Sequence, residues 1–188
     1  MLEAAWDLIA RKGRADVAMT EIAEKAGVSR QTIFYAFGSR SELLVAMVRH
    51  RDTRSDHVAR IRACLETADP DHETILHLAR IWIEYLPVIY PVGILLDAAA
   101  LTDPDAEKAW NDRMTDGLRS GFRQLAAAVH RRAPFDRRPD RVADAVWAQV
   151  HPSMWRRLVV ECGWSKTEFQ RSQLALVATI IGSVGQTR

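Results

Sequence analysis

Two short helical patterns follow one another in Glu21–Phe37, which reads "EIAEKAGVSRQTIFYAF". The apolar spacing predicts one helix over Met19–Ala26 and a second over Arg30–Phe37. Gly27 supplies the tight stop that the first helix needs, and Ser29 is a typical N-cap for the second. Because so little chain separates the two helices, they must cross at close range. The segment therefore predicts a helix-turn-helix.

The two faces of this predicted unit differ in chemistry. The side chains expected to face its small core are Ile22, Ala23, Ala26, Val28, Ile33, Phe34 and Phe37. The side chains expected to point away from it are Ser29, Arg30, Gln31, Thr32 and Tyr35. Polar side chains of this kind can pair with base edges and phosphates in a major groove. An ordinary helical hairpin with a solvated face is the alternative interpretation.

Helical periodicity continues through the rest of the chain, and no stretch alternates apolar and polar residues for long, so we predict an all-α protein. Further helices are predicted over Leu2–Arg11, from Arg40 to about Leu65, from Asp71 to Leu86, over Val92–Leu101, from Asp103 to about Arg132, over Pro139–Cys162 and from Ser165 to about Ser183. Gly13 is expected to end the first helix. Pro87 and Pro91 are expected to break the chain, and Pro152 to kink or break its helix.

Several helix starts carry recognisable capping signals. Ser39 precedes Glu42 by three residues, the spacing of a capping box, and Ser165 and Glu168 repeat this spacing. Asp103 followed by proline is a clean start, because aspartate caps and proline suits the first helical position.

Composition narrows the function only a little. The formal net charge is +2, and the excess of basic residues lies in the first 60 positions; this is compatible with a nucleic-acid partner but too small to argue for one. Cys64 and Cys162 lack metal-site spacing, so we expect buried, reduced cysteines in a cytoplasmic protein, with a redox role as the alternative. The N-terminus contains acids, unlike a signal peptide. The most apolar run, Leu174–Ile181, is too short to cross a bilayer.

Motifs that carry catalysis are missing from the sequence. It contains no G-x-S-x-G, no H-E-x-x-H and no glycine-rich phosphate loop, and its six histidines are scattered. We therefore expect no catalytic residues, no cofactor and no metal, and we do not expect an enzyme.

Residues 2–48 resemble the N-terminal DNA-binding domain of the TetR/AcrR family of transcription regulators. The matching stretches are "AAWDLIARKG" and "IAEKAGVSRQTIFYAFGSRSELL", which follow the family pattern "IA..AGVS..TLY.HF.SK..LL". The resemblance implies a helix-turn-helix DNA-binding domain over residues 1–46. It also implies a larger helical domain over residues 47–188 for effector binding and dimerisation.

The resemblance and the polar face together suggest which residues contact DNA. The predicted DNA-binding residues are Thr20, Ser29, Arg30, Gln31, Thr32, Phe34, Tyr35 and Arg40. Arg30 and Gln31 are expected to read bases, because arginine pairs with guanine and glutamine with adenine. Phosphate contacts are expected from Thr20, Ser29, Tyr35 and Arg40.

The sequence departs from the family pattern at three positions. Ala18 stands where a capping Ser or Thr is usual, so the cap is expected to be lost or moved to Thr20. Phe34 lacks the hydroxyl of the usual tyrosine, which Tyr35 could supply, and Ala36 replaces a usual histidine. These departures leave open a helical sensor or interaction protein that has lost specific DNA binding.

A dimer surface is also expected, because one short recognition helix reads only a few base pairs and a symmetric homodimer reads a palindromic operator. The segments "WRRLVVECGW" and "QLALVATIIGSV" are apolar over more than one stripe. The resemblance implies that the two C-terminal helices of each subunit form a four-helix bundle. The predicted interface residues are Leu158, Val159, Leu174, Val177, Ala178 and Ile181, with packing inside one chain as the alternative for each.

The middle of the chain is rich in large aromatic and methionine side chains, and the resemblance implies that these helices enclose an effector pocket. The predicted ligand-binding residues are Trp82, Tyr85, Leu86, Tyr90, Leu96, Trp110, Met114, Phe122, Trp147 and Met154. Candidate polar handles in such a pocket are His77, Asp97, Gln149 and His151. Core packing or surface exposure is the alternative for each. A small hydrophobic or aromatic effector is expected to release a repressor from DNA through the predicted fourth helix, with activation as the alternative.

Overall fold

In the computed structural model, which describes residues 1–12 and 17–182, every regular element is a helix. The all-α prediction is therefore confirmed over the described residues. Gly13 and Ser183, expected at the ends of helices, lie outside them. The chain forms two compact units, one of Met1–Ser55 with Val88–Asn111 and one of Asp56–Pro87 with Asp112–Arg188. A functional division after residue 46 stays a prediction.

The first unit is built on the N-terminal helices. Its helices are α1 (Leu2–Lys12), α2 (Met19–Ala26), α3 (Arg30–Phe37), α4 (Arg40–Asp52), the C-terminal part of α6 (His72–Ala99) and α7 (Pro104–Trp110). Its core includes Ala5, Trp6, Ile9, Ile22, Ala23, Ile33, Leu43, Leu44 and Met47. Helices α2 and α3 begin and end where the sequence predicts.

The turn between α2 and α3 follows its predicted chemistry. Gly27 has φ +67°, a left-handed conformation that costs side-chain-bearing residues energy. The Gly27 amide donates to the carbonyl of Glu24 at 3.1 Å, and the Val28 amide donates to that of Ala23 at 3.0 Å. Ala23 is buried, as the close crossing of the helices requires.

The predicted helix from Arg40 to Leu65 is wrong in its middle. Helix α4 ends at Asp52, and α5 (His57–Leu65) begins after a turn. The Thr53 hydroxyl donates to the carbonyl of His50 at 2.9 Å, and the Ser55 amide donates to that of Asp52 at 3.3 Å. Short polar side chains compete in this way with the helical backbone. A run of them therefore ends a helix whose apolar spacing alone would continue.

The expected breaks at Pro87 and Pro91 are also wrong, because α6 runs through both prolines. The separate helix predicted over Val92–Leu101 is the end of α6, which finishes at Ala99. The prolines stand four residues apart on one face, so the missing amides disturb a single strip of the helix. Burial of apolar residues all along α6, among them Leu86, Ile89, Val92 and Leu96, offsets that loss.

The most apolar run in the sequence, Leu174–Ile181, is too short to cross a bilayer, but the continuous α6 is longer. By length and composition this 28-residue helix could do so. Within the structure 44% of its most apolar window is buried, and the core helix of a compact protein satisfies the same criteria.

The predicted long helix after Asp103 is present with an irregular middle. Asp103 caps α7, accepting from the amides of Asp105 at 2.9 Å and Ala106 at 3.3 Å. The helix continues through a π-helical stretch, Asn111–Arg119, into α8 (Ser120–His130). A wider helical register of this kind is not visible in apolar spacing.

The second unit packs its helices around α8 and α9. Besides α5, the first part of α6 and α8, it contains α9 (Pro139–Gln149), α10 (Pro152–Trp155), a π-helical stretch Arg156–Glu161 and α11 (Lys166–Ile181). The expected interruption at Pro152 is confirmed, and so is the capping box of Ser165 and Glu168. A Cβ on Gly121 would lie 3.3 Å from Leu65, so this glycine lets α5 and α8 approach closely.

The two cysteines differ in environment. Cys64 is buried, its thiol donates to the Thr74 carbonyl at 3.4 Å, and desolvation raises its pKa. Cys162 is exposed, which corrects the expectation that both cysteines are buried. Its position beside Gly163, at the end of a helical segment, leaves it outside the packed interior.

Candidate DNA-binding site

The N-terminus of α3 is held by its own side chains. The Ser29 hydroxyl accepts from the Thr32 amide at 3.0 Å, as predicted for an N-cap. The two hydroxyls also lie 2.8 Å apart, within hydrogen-bond distance. An N-cap fixes the direction in which a short helix leaves its turn, and the first turn of α3 is therefore preorganised.

The outer face of α3 is polar and open to solvent. Ile33 is the buried residue of this helix and is fully enclosed. Arg30, Gln31 and Thr32 are exposed, and Tyr35 is 94% exposed. The predicted reading face is thus outside, with Ile33 anchoring the helix from beneath.

Phe34 does not face inward, which corrects the predicted inner face of α3. It is 37% exposed, while Phe37 is half-buried. The Arg30 guanidinium lies 5.2 Å from the centre of the Phe34 ring, a cation–π arrangement. An eight-residue helix buries one narrow stripe, and Ile33 occupies it. Phe34 instead supports the side chain of Arg30.

The start of α2 lacks the side-chain cap that its family resemblance implies. Ala18 occupies the cap position with extended backbone, and no side chain caps the helix there. Thr20, the expected replacement, is an exposed residue inside the helix. Half of a capping box remains, because a carboxylate oxygen of Glu21 accepts from the Ala18 amide at 3.4 Å.

Arg40, predicted to contact phosphate, is engaged inside its own unit. It is half-buried, and its guanidinium donates to the carbonyl of Val17, immediately before α2 begins. This hydrogen bond ties the start of α4 to the start of α2. Arg40 therefore helps to place the helix-turn-helix as well as adding positive charge beside it.

Side-chain contacts that sequence reasoning missed hold α4 and the residues just after it in place. The Ser41 hydroxyl, in a buried side chain, donates to Asp103 at 2.5 Å, joining α4 to the start of α7. Glu3 on α1 lies 2.7 Å from His50 and 2.9 Å from Arg54. Hydrogen bonding to His50, with the charges of neighbouring arginines, holds the pKa of Glu3 below its usual value. Because the residues in these contacts are far apart in sequence, no local sequence pattern indicates that they meet.

The predicted ligand-binding residues divide between the units. Tyr90, Leu96 and Trp110 belong to the first unit and the other seven to the second. In the second, the Trp82 indole donates to the Val150 carbonyl at 2.9 Å, and Tyr85 stacks on His57 at 3.5 Å between ring centres. Leu86, Met114 and Phe122 are buried, while Trp147 and Met154 are half-buried.

The proposed polar handles are dispersed. His77 is exposed, and the His151 ring accepts from the Ser153 amide at 3.2 Å as the cap of α10. Trp147 and Gln173 instead have buried polar atoms without a hydrogen-bond partner within the described part of the chain. These unsatisfied groups were not singled out from sequence, because their burial depends on distant neighbours.

The predicted dimer residues fall into two groups. Val177 and Ile181 are buried within the single chain, where they pack in the second unit. Leu158, Val159 and Leu174 are half-buried and Ala178 is exposed. Val160, Trp164 and Leu176 are exposed apolar neighbours that the prediction omitted.

Comparison with known proteins agrees with this geometry. Residues 1–47 match the model for bacterial regulatory proteins of the tetR family. The chain is 33% identical over 70 residues to the HTH-type transcriptional regulator TtgR of Pseudomonas putida, covering 37% of this chain and 33% of TtgR. It matches the probable HTH-type transcriptional regulator ArpR of Pseudomonas putida with the same identity and coverage. The chain thus spans about a third of the length of each of these curated relatives.

Solved structures share the fold over nearly the whole chain. A transcriptional regulator from Rhodococcus sp. has a TM-score of 0.75 at 14% identity, covering 98% of this chain and 96% of its own. The TetR family regulator PfmR from Thermus thermophilus has a TM-score of 0.73 at 18% identity, and the match covers 99% of this chain and 96% of PfmR. The regulator FadR from Bacillus subtilis, solved in complex with stearoyl-CoA, has a TM-score of 0.72 at 13% identity, covering 98% and 97%.

These relatives are transcriptional regulators by their descriptions, and no enzyme is among them. The family match covers α1–α3 and the first part of α4, and the exposed face of α3 lies above a buried Ile33. Residues 1–47, which contain the helix-turn-helix, therefore match the tetR family of bacterial regulatory proteins, and the chain shares its all-helical fold with the solved structures.

Proposed function

We propose that this protein binds an operator in double-stranded DNA and regulates transcription from it. The observation that carries the proposal is the face of α3, where Arg30, Gln31 and Tyr35 point to solvent above a buried Ile33. A helix mounted in this way can enter a major groove without unfolding any part of its own unit.

Within that helix we assign base reading to Arg30 and Gln31, whose side chains form paired hydrogen bonds with guanine and adenine. The ring of Phe34 beneath Arg30 restricts the guanidinium, which lowers the entropy lost when it pairs with a base. We assign phosphate contacts to Thr20, Tyr35 and the hydroxyls of Ser29 and Thr32. These contacts position the helix without reading sequence.

The operator is proposed to be palindromic and the protein a homodimer, because one helix of eight residues reads too few base pairs to select a site in a genome. A partner subunit would cover the apolar residues near the C-terminus that the single chain leaves partly open. These residues are Leu158, Val159, Val160, Trp164, Leu174, Leu176 and Ala178. Val177 and Ile181 would support that surface from inside.

We further propose that a small hydrophobic or aromatic effector releases a repressor from its operator in the cytoplasm. The second unit supports this with half-buried Trp147 and Met154 and with unsatisfied polar atoms on Trp147 and Gln173. A bound molecule that satisfied those atoms would recover the cost of burying them. An effector shifts the equilibrium only by its difference in affinity for the DNA-bound and released forms.

Selection of bound sequences from random DNA tests the proposal most directly. Purified protein is expected to enrich a palindrome whose half-sites lie about 34–36 Å apart, one helical turn. Arg30→Ala should remove the preference at one position of each half-site. Enrichment of no sequence would instead favour a helical sensor that has lost specific DNA binding, and a single half-site would contradict the homodimer.

A further inference from the structure

A cavity of about 620 Å³ lies in the second unit, and none of its lining residues is among those predicted to bind an effector. Its walls are the end of α5, the connection of residues 67–70, and the last turns of α8 with the two residues that follow it. Ligand sites in proteins commonly have volumes of about 300–1,000 Å³. The cavity is therefore large enough for a small organic molecule.

The floor of the cavity is apolar. Leu65 and Leu125 contribute branched side chains, and Leu125 is buried. Ala127 and Ala128 lie on α8 together with Leu125, and they leave space in the cavity because their side chains are short. Such a surface favours the hydrocarbon part of a ligand, since burying it removes apolar area from water.

Most of the polar side chains at the cavity are already satisfied. The Gln124 amide donates to the Leu65 carbonyl at 3.2 Å, and Arg132 forms an ion pair with Asp69. Arg131 lines the cavity and is exposed, and its guanidinium makes no hydrogen bond or ion pair with any part of the chain that the structure describes. It is thus the cation at this site that remains available to a ligand.

Other charges near the cavity do not cancel that of Arg131. Glu66 and Asp71 flank this connection but do not line the cavity, and Asp71 accepts from the Thr74 amide at 2.9 Å. The C-termini of α5 and α8 carry partial negative charges of about half a unit, which a full guanidinium charge exceeds. Two arginines against one aspartate leave the lining with a net charge of +1.

We propose that this cavity binds an amphipathic organic anion, with its hydrocarbon part on Leu65, Leu125 and Ala128 and its acidic group on Arg131. A carboxylate suits the site, because guanidinium and carboxylate pair through parallel hydrogen bonds. Binding here needs no DNA, so the inference holds or fails separately from operator binding.

Isothermal titration of the full chain with octanoate, octan-1-ol and octylamine tests the proposal. Octanoate should bind most tightly and octylamine least. Arg131→Gln should weaken octanoate about tenfold while leaving octan-1-ol unchanged. Ala128→Leu, which fills the floor with a good helix former, should abolish binding of all three. Thermal melts followed by circular dichroism establish that each variant is folded.

Arg80→Gln is the matched control, since it removes an equal charge from an exposed position of α6 that does not line the cavity. It should bind octanoate as the parent does. Equal losses in Arg80→Gln and Arg131→Gln would overturn the proposal in favour of a general charge effect. Octanoate binding that survives Ala128→Leu, octan-1-ol binding as tightly as octanoate, or no heat with millimolar octanoate would also overturn it.

Discussion

The Ser41 hydroxyl donates a 2.5 Å hydrogen bond to Asp103, which also caps α7 with its other carboxylate oxygen. One side chain thus satisfies two amides of a helix start and the hydroxyl of a buried serine on α4. Because α4 follows α3 directly, this contact bears on how firmly the proposed DNA-binding face is held.

Replacing Ser41 by alanine should lower the free energy of unfolding by about 1 kcal/mol, the usual net contribution of such a hydrogen bond. Asp103→Ala should cost more, since it also removes the cap of α7 and leaves the buried hydroxyl unpaired. Urea denaturation of both variants and of the double variant gives the coupling between them. Additive effects would show that the hydrogen bond contributes nothing of its own.

Substitutions on the buried and exposed faces of α3 should affect different properties, stability in the first case and DNA binding in the second. Ile33→Ala, at a fully buried position, should lower the free energy of unfolding by about 2–4 kcal/mol. Gln31→Ala, at an exposed position, should change stability by less than about 0.5 kcal/mol but weaken operator binding by about 1–3 kcal/mol. Fluorescence anisotropy on the selected operator measures the binding. Unchanged affinity in Gln31→Ala would remove that residue from the proposed base readers.

Arg30 and Arg40 should differ in how their loss affects binding. Arg30→Ala should reduce discrimination at one base pair of each half-site, because its guanidinium is exposed and restricted over Phe34. Arg40→Ala should weaken all sequences alike, through lost charge and through the lost tie to the Val17 carbonyl. Measured affinities of both variants for a panel of single-base operator variants distinguish base reading from sequence-independent binding. A uniform loss in both variants would contradict the division of roles.

Asp144 should make the second unit sensitive to acid. Arg119 and Arg123 each form two hydrogen bonds with its carboxylate, and these bonds hold the pKa of Asp144 far below its usual value. A lowered pKa contributes stability that is complete above the unfolded value of about 3.9 and is lost as the pH falls below it.

Asp144→Asn should therefore reduce the free energy of unfolding at pH 7 by about 1–2 kcal/mol, a modest figure because both arginines are partly solvated. The difference from the parent should shrink as the pH is lowered from about 4 towards 2. Urea midpoints across this range measure it, with Asp140→Asn as a control that removes a neighbouring carboxylate from a pair with Arg138. A difference that does not vary with pH would exclude this linkage.

Gly27→Ala should destabilise the helix-turn-helix by about 1–2 kcal/mol, because φ +67° strains any residue with a Cβ. Space is not the cause, since no atom lies within 4 Å of the position that the Cβ would take. Asparagine tolerates this conformation better, so Gly27→Asn should cost less. Thermal unfolding of the two variants compares them, and an equal cost would point to contacts instead of backbone strain.

Features that depend on neighbouring residues could be predicted from the sequence alone. The bounds of α2 and α3, the caps at Ser29, Ser39 and Ser165, and the left-handed turn at Gly27 follow from side chains that act within a few positions. Helical periodicity likewise indicated the all-helical fold, because it depends on local spacing.

Features that depend on distant partners became visible only in the folded protein. In the tertiary structure α6 continues through Pro87 and Pro91, and Ser41 forms a hydrogen bond with Asp103, 62 positions away. In the same structure Phe34 faces outward, and Val177 is buried within its own chain. The physical reason is that burial and long-range hydrogen bonds are set by which helices meet, and an apolar residue on a helix has the same spacing whether it meets a core, a ligand or a partner.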